Sequence, residues 1–366
     1  MSINQIIINI MVIFMALGAI DRILGNKYGF GEQFEEGFNA MGSLSLAMVG
    51  VVSLAPVLAQ LLKPIIVPLY SALGADPAMF ATTLLANDMG GFPLAMELAQ
   101  TPEAGLFAGT ILGAMMGPTI VFTIPVALGI IKKEDHNALA TGILAGIITI
   151  PFGCLAGGLV AGFAMNMVLS NLIPIMIVAA LIALGLWKVP NKMISGFNTF
   201  GKVVVVVITI GLAAIIIETL TGFVVIPGMA PISDGIEVIG AIAIMLAGAF
   251  PMVHFITKAF KKPLMSIGKA LGMNDVAAAG LVATLANNIA MFQILHEMDA
   301  RGKILNVAFA VSAAFTFGDH LGFTAGVAKE MIFPMIVGKL VAGITAIFVA
   351  SLFAPKSVET KKKIAA

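Results

Sequence analysis

Apolar runs long enough to cross a bilayer recur along almost the whole chain, and this restricts the fold before any single residue is weighed. Val203 to Ile217 and Leu340 to Phe353 are almost continuously apolar, without the alternation of a barrel strand, so the spans are helices. Of the 366 residues 60% are hydrophobic and only 11% are charged, more apolar surface than a soluble core consumes. The fold class is therefore an all-α polytopic membrane protein, with the lipid bilayer as its first partner. Ile6 to Ile20 has no basic flank before it and runs into Asp21 and Arg22, which marks a retained span and not a cleaved leader. The single cysteine, Cys154, excludes a disulfide framework and a cysteine-based metal cluster. His296-Glu297 opens like a zinc-protease motif, but Ala300 stands where the second histidine belongs. With no phosphate-cradling loop and no basic-aromatic pattern, neither nucleotide hydrolysis nor nucleic-acid binding is supported. We expect no enzyme, no cofactor and no metal.

Within this background lies a polar, glycine-broken notch, Leu85-Ala86-Asn87-Asp88-Met89-Gly90-Gly91-Phe92-Pro93. It has an echo at Leu285-Ala286-Asn287-Asn288-Ile289-Ala290-Met291-Phe292, and Asn87, Phe92 and Glu97 are answered at one constant offset by Asn287, Phe292 and Glu297. An amide and a carboxylate at membrane depth are costly, so two matching placements point to one site assembled from two halves. The correspondence extends outward: Pro56 and Pro68 meet Pro251 and Pro263, and Gly117 with Phe122-Thr123 meets Gly318 with Phe323-Thr324. A duplication is expected. Residues 1–160 are the first transmembrane repeat, 161–199 a linker span and cytoplasmic connector, 200–355 the second repeat, and 356–366 a cytoplasmic tail.

Basic residues set the orientation, because cytoplasmic loops retain lysine and arginine. Lys258, Lys261, Lys262 and Lys269 precede the second notch and Arg301 and Lys303 follow it, so residues 273–298 enter and return on one side as a re-entrant hairpin. The same reasoning brings the first hairpin, residues 76–100, in from the outside, with the N-terminus outside and the C-terminus cytoplasmic. Lys63, Lys329 and Lys339 sit awkwardly in that scheme. The expected architecture is two inverted-topology repeats, each of about four transmembrane helices plus a broken-helix hairpin, joined by a linker helix, or about nine spans and two hairpins. If each hairpin crossed fully there would be about eleven spans and a basic loop stranded outside. A mixed-charge loop is expected to reach Phe38, and Pro56, Pro64 and Pro68 to interrupt regular helix. Gly109, Gly113 and Gly117, at four-residue spacing, allow close helix contact.

Broken helices at membrane depth are tolerated where they line a cavity, which makes the hairpin tips the candidate site. There the two halves differ: Asp88 faces a neutral Asn288, and Gly117-Pro118-Thr119 becomes Gly318-Asp319-His320. Acidic groups in an otherwise duplicated frame suit a small cation, with carboxylates offsetting lost hydration, amides and hydroxyls orienting it and an aromatic wall beside it. The candidates for substrate binding are Asp88, Asn87, Asn287, Asn288, Asp319, Thr123, Thr324, Phe92 and Phe323. Asp319, His320, Glu97 and Glu297 are candidates for binding a coupling proton or sodium ion. Structural alternatives stand beside each: Asp88 as a helix cap, Asp319 paired with His320, Phe92 and Phe323 as packing, Glu97 and Glu297 as solvated charges at the hairpin exits.

The run Leu73-Gly74-Ala75-Asp76-Pro77, followed by Thr82-Thr83-Leu84-Leu85-Ala86-Asn87-Asp88-Met89-Gly90-Gly91, resembles the ethanolamine permease family (EutH) of bacterial ethanolamine-utilisation operons. The likeness extends over essentially the full chain. It implies an inner-membrane permease admitting ethanolamine for catabolism by a cobalamin-dependent lyase; the residues alone lead only to a transporter with a buried acidic site. More loosely, the hairpins resemble the gates of concentrative nucleoside transporters, a likeness of fold that carries no substrate. A passive ethanolamine channel and a cation-coupled carrier of another small metabolite, such as a nucleoside, are the competing readings, and a homo-oligomer is compatible with each.

Overall fold

A computed structural model of the chain describes residues 2–355, apart from the side chains of Phe260, Lys261 and Leu264; the expected cytoplasmic tail lies outside the described residues. The described chain is helical throughout, and eight of its helices are long and apolar enough to cross a membrane. The chain is a polytopic membrane protein. In order, the first half contains α1 (Ile3–Ile23), α2 (Phe30–Ala72), α3 (Ala78–Leu84), α4 (Gly91–Leu98), α5 (Pro102–Leu106), α6 (Met116–Pro118), α7 (Ile124–Ile130) and α8 (His136–Val160). After α9 (Met165–Lys188) come α10 (Pro190–Thr221), α11 (Ile232–Ala270), α12 (Asp275–Ala286), α13 (Asn288–Gln293), α14 (Ala300–Ala313), α15 (Asp319–Val327) and α16 (Ile332–Phe353). The order of elements runs twice: a long helix, a longer proline-containing one, a hairpin of two short helices, a broken helix and a final long helix, with α9 between the two series.

Three local features depart from the sequence reading. The loop after α1 is short, and α2 begins at Phe30, because the Asp21 carboxylate accepts hydrogen bonds from the N–H groups of Tyr28 (3.0 Å), Phe30 (2.8 Å) and Gly31 (3.0 Å). A buried acid at the end of one helix thus satisfies the orphan donors of the next. Pro56, Pro64 and Pro68 do not break α2, which runs 43 residues through all three. Packing against α10 and α11 covers it, and near Pro56 the Ser53 carbonyl accepts the N–H of Ala230 at 2.9 Å from outside the helix. Where nine spans were expected, eight helices reach spanning length; the difference lies at Ala300 to Val327, which is split into α14 and α15 around residues 314–318.

The helices meet through small residues, since lipid offers no hydrophobic drive for association and close van der Waals contact must supply it. In the contact of α8 with α16, a Cβ on Gly153 would run into the Gly338 carbonyl, and Thr149 Oγ1 donates to the Ala342 carbonyl at 3.0 Å. α14 packs beside them on α8, and α2 packs along α11. Lys303 and Asp135, 2.6 Å apart, tie α14 to the turn before α8.

Candidate functional site

The first hairpin turns at Asn87–Met89. The Ala86 carbonyl accepts N–H bonds from Met89 (3.0 Å) and Gly91 (2.8 Å), and Gly90 adopts φ 91°, which a glycine takes without strain. At its base Asp76 clasps both arms, Oδ1 accepting from Ala78 N–H and Oδ2 from Gln100 N–H, each at 2.9 Å, while Asp76 N–H donates to Asn171 Oδ1 on α9 at 2.7 Å. The Gly109, Gly113 and Gly117 stripe faces this hairpin: added Cβ atoms would meet Phe92, Thr82 and the Leu85 carbonyl respectively. The second hairpin is seated likewise, with Gly318 against the Ala286 carbonyl. Its own broken helix reaches it through backbone bonds from Phe315 N–H to the Thr284 carbonyl (3.1 Å) and Phe317 N–H to the Leu285 carbonyl (3.0 Å).

Each hairpin also touches the broken helix of the other half. Asn288 Nδ2 donates to Thr123 Oγ1 at 3.0 Å, and the Phe92 ring meets Phe323 edge to face at 5.7 Å. At the first tip lies a cavity of about 40 Å³, lined by Ala86 and Asp88 of that tip, Pro118 and Phe122 of one broken helix, and Phe315, Asp319 and His320 of the other. That is roughly three times the least space a water needs, the scale of a molecule of a few heavy atoms. Asp88 and Asp319 are half-buried and interact electrostatically with each other, and among the described residues neither forms a salt bridge. Phe122 and Phe315 meet edge to face at 5.6 Å, and the Phe315 ring lies 5.3 Å from the His320 ring. Behind His320, Lys339 of α16 is 1% exposed; its Nζ sits 3.0 Å from His320 Nδ1 and donates to the Ala114 carbonyl.

A pair of carboxylates facing two aromatic rings in a small cavity is a site for a compact organic cation. The family model described as "Ethanolamine utilisation protein, EutH" matches residues 3–353. The chain belongs to the EutH family. It is 71% identical to "Probable ethanolamine permease EutH" of Listeria monocytogenes over 362 residues, covering 99% of this chain and 97% of that one. It is 55% identical over 401 residues to the protein of the same name in Escherichia coli K12, covering 99% and 98%. "Uncharacterized protein YxeR" of Bacillus subtilis is 54% identical over 367 residues, covering 100% and 99%. No solved structure matches the chain.

In this EutH chain Asp88, Asp319 and His320 come together at the cavity, although 231 positions separate the two acids. Asp88 makes no capping bond, and His320 has Lys339 as its partner, so neither structural alternative describes these groups. The remaining candidates are arranged differently from the expectation. Asn287 caps α13 through Ile289 N–H at 2.7 Å, and Asn288 and Thr123 bond each other. Asn87 and Thr324 are buried, with Asn87 Nδ2 and Thr324 Oγ1 unpartnered. Phe92 and Phe323 pack together away from the cavity; its aromatic walls are Phe122 and Phe315. Glu97 and Glu297 are exposed at the hairpin exits, where solvation stabilises a charge better than the interior would, and do not line the cavity. Sequence reasoning missed Phe122, Phe315 and Lys339, and the one signal for Lys339 was its awkward place in the count of basic residues.

Proposed function

We propose that this EutH-family chain is an ethanolamine permease of the bacterial inner membrane, and that the Asp88–Asp319 cavity is where ethanolamine is held. The names of the Listeria and Escherichia relatives support the substrate. The observation that carries the site is the convergence of two carboxylates and two phenylalanine rings on one small cavity at the middle of two broken helices. Ethanolamine at neutral pH is an ammonium with one hydroxyl. Its charge replaces lost hydration with Asp88, Asp319 and the faces of Phe122 and Phe315. Its hydroxyl falls to His320, the remaining polar side chain on the cavity wall.

The doubled order of elements supports two inverted-topology repeats, the first hairpin entering from the outside and the second from the cytoplasm, with the cavity between the halves and access alternating as the hairpins move. The decisive experiment is uptake of labelled ethanolamine by proteoliposomes carrying the wild type, Asp88→Asn or Asp319→Asn. Loss of uptake in either variant, with the protein still monodisperse, is expected; wild-type uptake by both would sink the assignment. Imposing a proton or sodium gradient in the same vesicles reads the coupling: a coupled carrier concentrates ethanolamine along the gradient, and a channel only equilibrates it.

A further inference from the structure

Lys339 is the only lysine or arginine among the described residues that is fully buried. A lysine in the middle of an apolar helix is costly, and its two close partners, the Ala114 carbonyl and the His320 imidazole, offer it no formal charge. Lys339 Nζ lies 3.0 Å from His320 Nδ1, so the lysine stands directly behind a side chain of the cavity wall. The nearest acid the geometry offers is Asp88, which lines the same cavity as His320 but lies beyond salt-bridge distance of Lys339. Asp319 in turn interacts with Asp88 and with Glu36, which is exposed at the start of α2 and screened by solvent. Two half-buried carboxylates on one cavity repel each other, and a lysine carrying its charge behind the wall would offset one of them. By formal charge, the two acids lining the cavity and the one lysine behind its wall leave one negative charge.

We propose that Lys339 is a resident counter-cation that sets the cavity's net charge at one negative, so that the site accepts one singly charged ammonium and rejects a doubly charged amine. The inference rests on the reading of this cavity as the ethanolamine site and adds to it a basis for selecting among amines. Lys339 touches no substrate in this account; it is a positioning residue that acts through the field on Asp88 and through the orientation of His320, itself part of the wall.

The test uses the full chain in proteoliposomes with labelled ethanolamine. Ethylenediamine is the competitor, in mildly acidic buffer where it carries two charges. In the wild type it competes at least about tenfold more weakly than unlabelled ethanolamine, because one of its charges goes unmatched in a desolvated site. Lys339→Gln leaves two uncompensated carboxylates, and ethylenediamine becomes the better competitor. Asp88→Asn removes the excess negative charge and uptake falls, whereas Asp88→Asn combined with Lys339→Gln restores it and uptake recovers by about tenfold over Asp88→Asn alone. A merely structural lysine predicts the opposite, the double variant being worse than either single one. The proposal is overturned if the double variant is no better than Asp88→Asn, or if Lys339→Gln leaves the ranking of the two amines unchanged. Should Lys339→Gln fail to fold, the wild type decides: ethylenediamine competing as well as ethanolamine overturns the proposal. Wild-type uptake by Asp88→Asn and Asp319→Asn is a separate result, which removes the site itself and not the role of Lys339 alone.

Discussion

The two hairpins share a sequence frame but are tied down differently. The first is clasped at its base, where Asp76 accepts from both arms and Asn171 joins it to α9, while its tip carries Asp88 into the cavity with no ion pair among the described residues. The second is held at its tip, by Asn288 on Thr123 of the other half and by two backbone bonds from the break at residues 314–318. Its base is clasped too, but by an amide: Asn274 accepts from Ala277 N–H, its Nδ2 donates to the Glu297 carbonyl at 3.0 Å, and its own N–H donates to Asp299 Oδ1 at 3.0 Å. The asymmetry assigns different work to equivalent segments. A tip whose amide donates to the other half is a structural support, and a tip whose carboxylate is unpaired is available to a ligand.

Exchanging the tip chemistry breaks that comparison most severely. Asn288→Asp puts an acid inside the protein where the amide now donates to Thr123, and stability in detergent should fall by about 3–5 kcal/mol, read as a lower melting temperature. Asp88→Asn makes the first tip resemble the second; it should leave melting nearly unchanged while ethanolamine uptake drops by about a hundredfold. If the two substitutions have the same signature, the division between support and ligand site is wrong.

Next in size is the glycine contact that both halves use. Gly117→Ala drives a methyl group into the Leu85 carbonyl and Gly318→Ala into the Ala286 carbonyl, in each case against backbone that has little freedom to move. Both should cost about 3 kcal/mol of stability, and the cost should be alike in the two halves, since this contact belongs to the shared frame. The base clasps should separate the halves again. Asp76→Ala strips two N–H groups of a charged acceptor and should cost about 2 kcal/mol, against about 1 kcal/mol for Asn274→Ala, by thermal melting of purified protein.

Much of this frame was legible in the sequence because it rests on residue types with few alternative uses. Apolar runs of spanning length, the paired notches and the Gly109, Gly113 and Gly117 stripe each announce a backbone requirement, and the acids at Asp88 and Asp319 stand out by their cost. What stayed hidden depends on helical phase and on distant partners. The sequence pairs Phe122 with Phe323 as repeat mates, yet only Phe122 faces the cavity. The chain passes through wide and tight turns between Phe107 and Thr123, resetting the angle at which side chains emerge, whereas α15 is regular through Phe323. Persistence of α2 through three prolines depends on neighbours that periodicity does not reveal. Lys339 meets His320 and Ala114 only after α16 has packed across both halves.

The smallest expected effect asks whether the second tip's grip on the other half is an interaction or only a proximity. Asn288 and Thr123 are both fully buried, and the bond between them is the side-chain hydrogen bond that joins the second hairpin to the first half's broken helix. Thr123→Val removes the acceptor and keeps the volume; Asn288→Leu removes the donor and, because Asn288 Oδ1 has no partner, also removes a buried oxygen that is already unsatisfied. The single substitutions should therefore differ, with Thr123→Val the more damaging, since it alone strands a buried amide hydrogen. A double-mutant cycle on melting should give a coupling of about 1 kcal/mol. A coupling near zero would mean that the backbone bonds from Phe315 and Phe317 hold the second tip by themselves. The comparison would then be sharpened to backbone support in one half against a carboxylate clasp in the other.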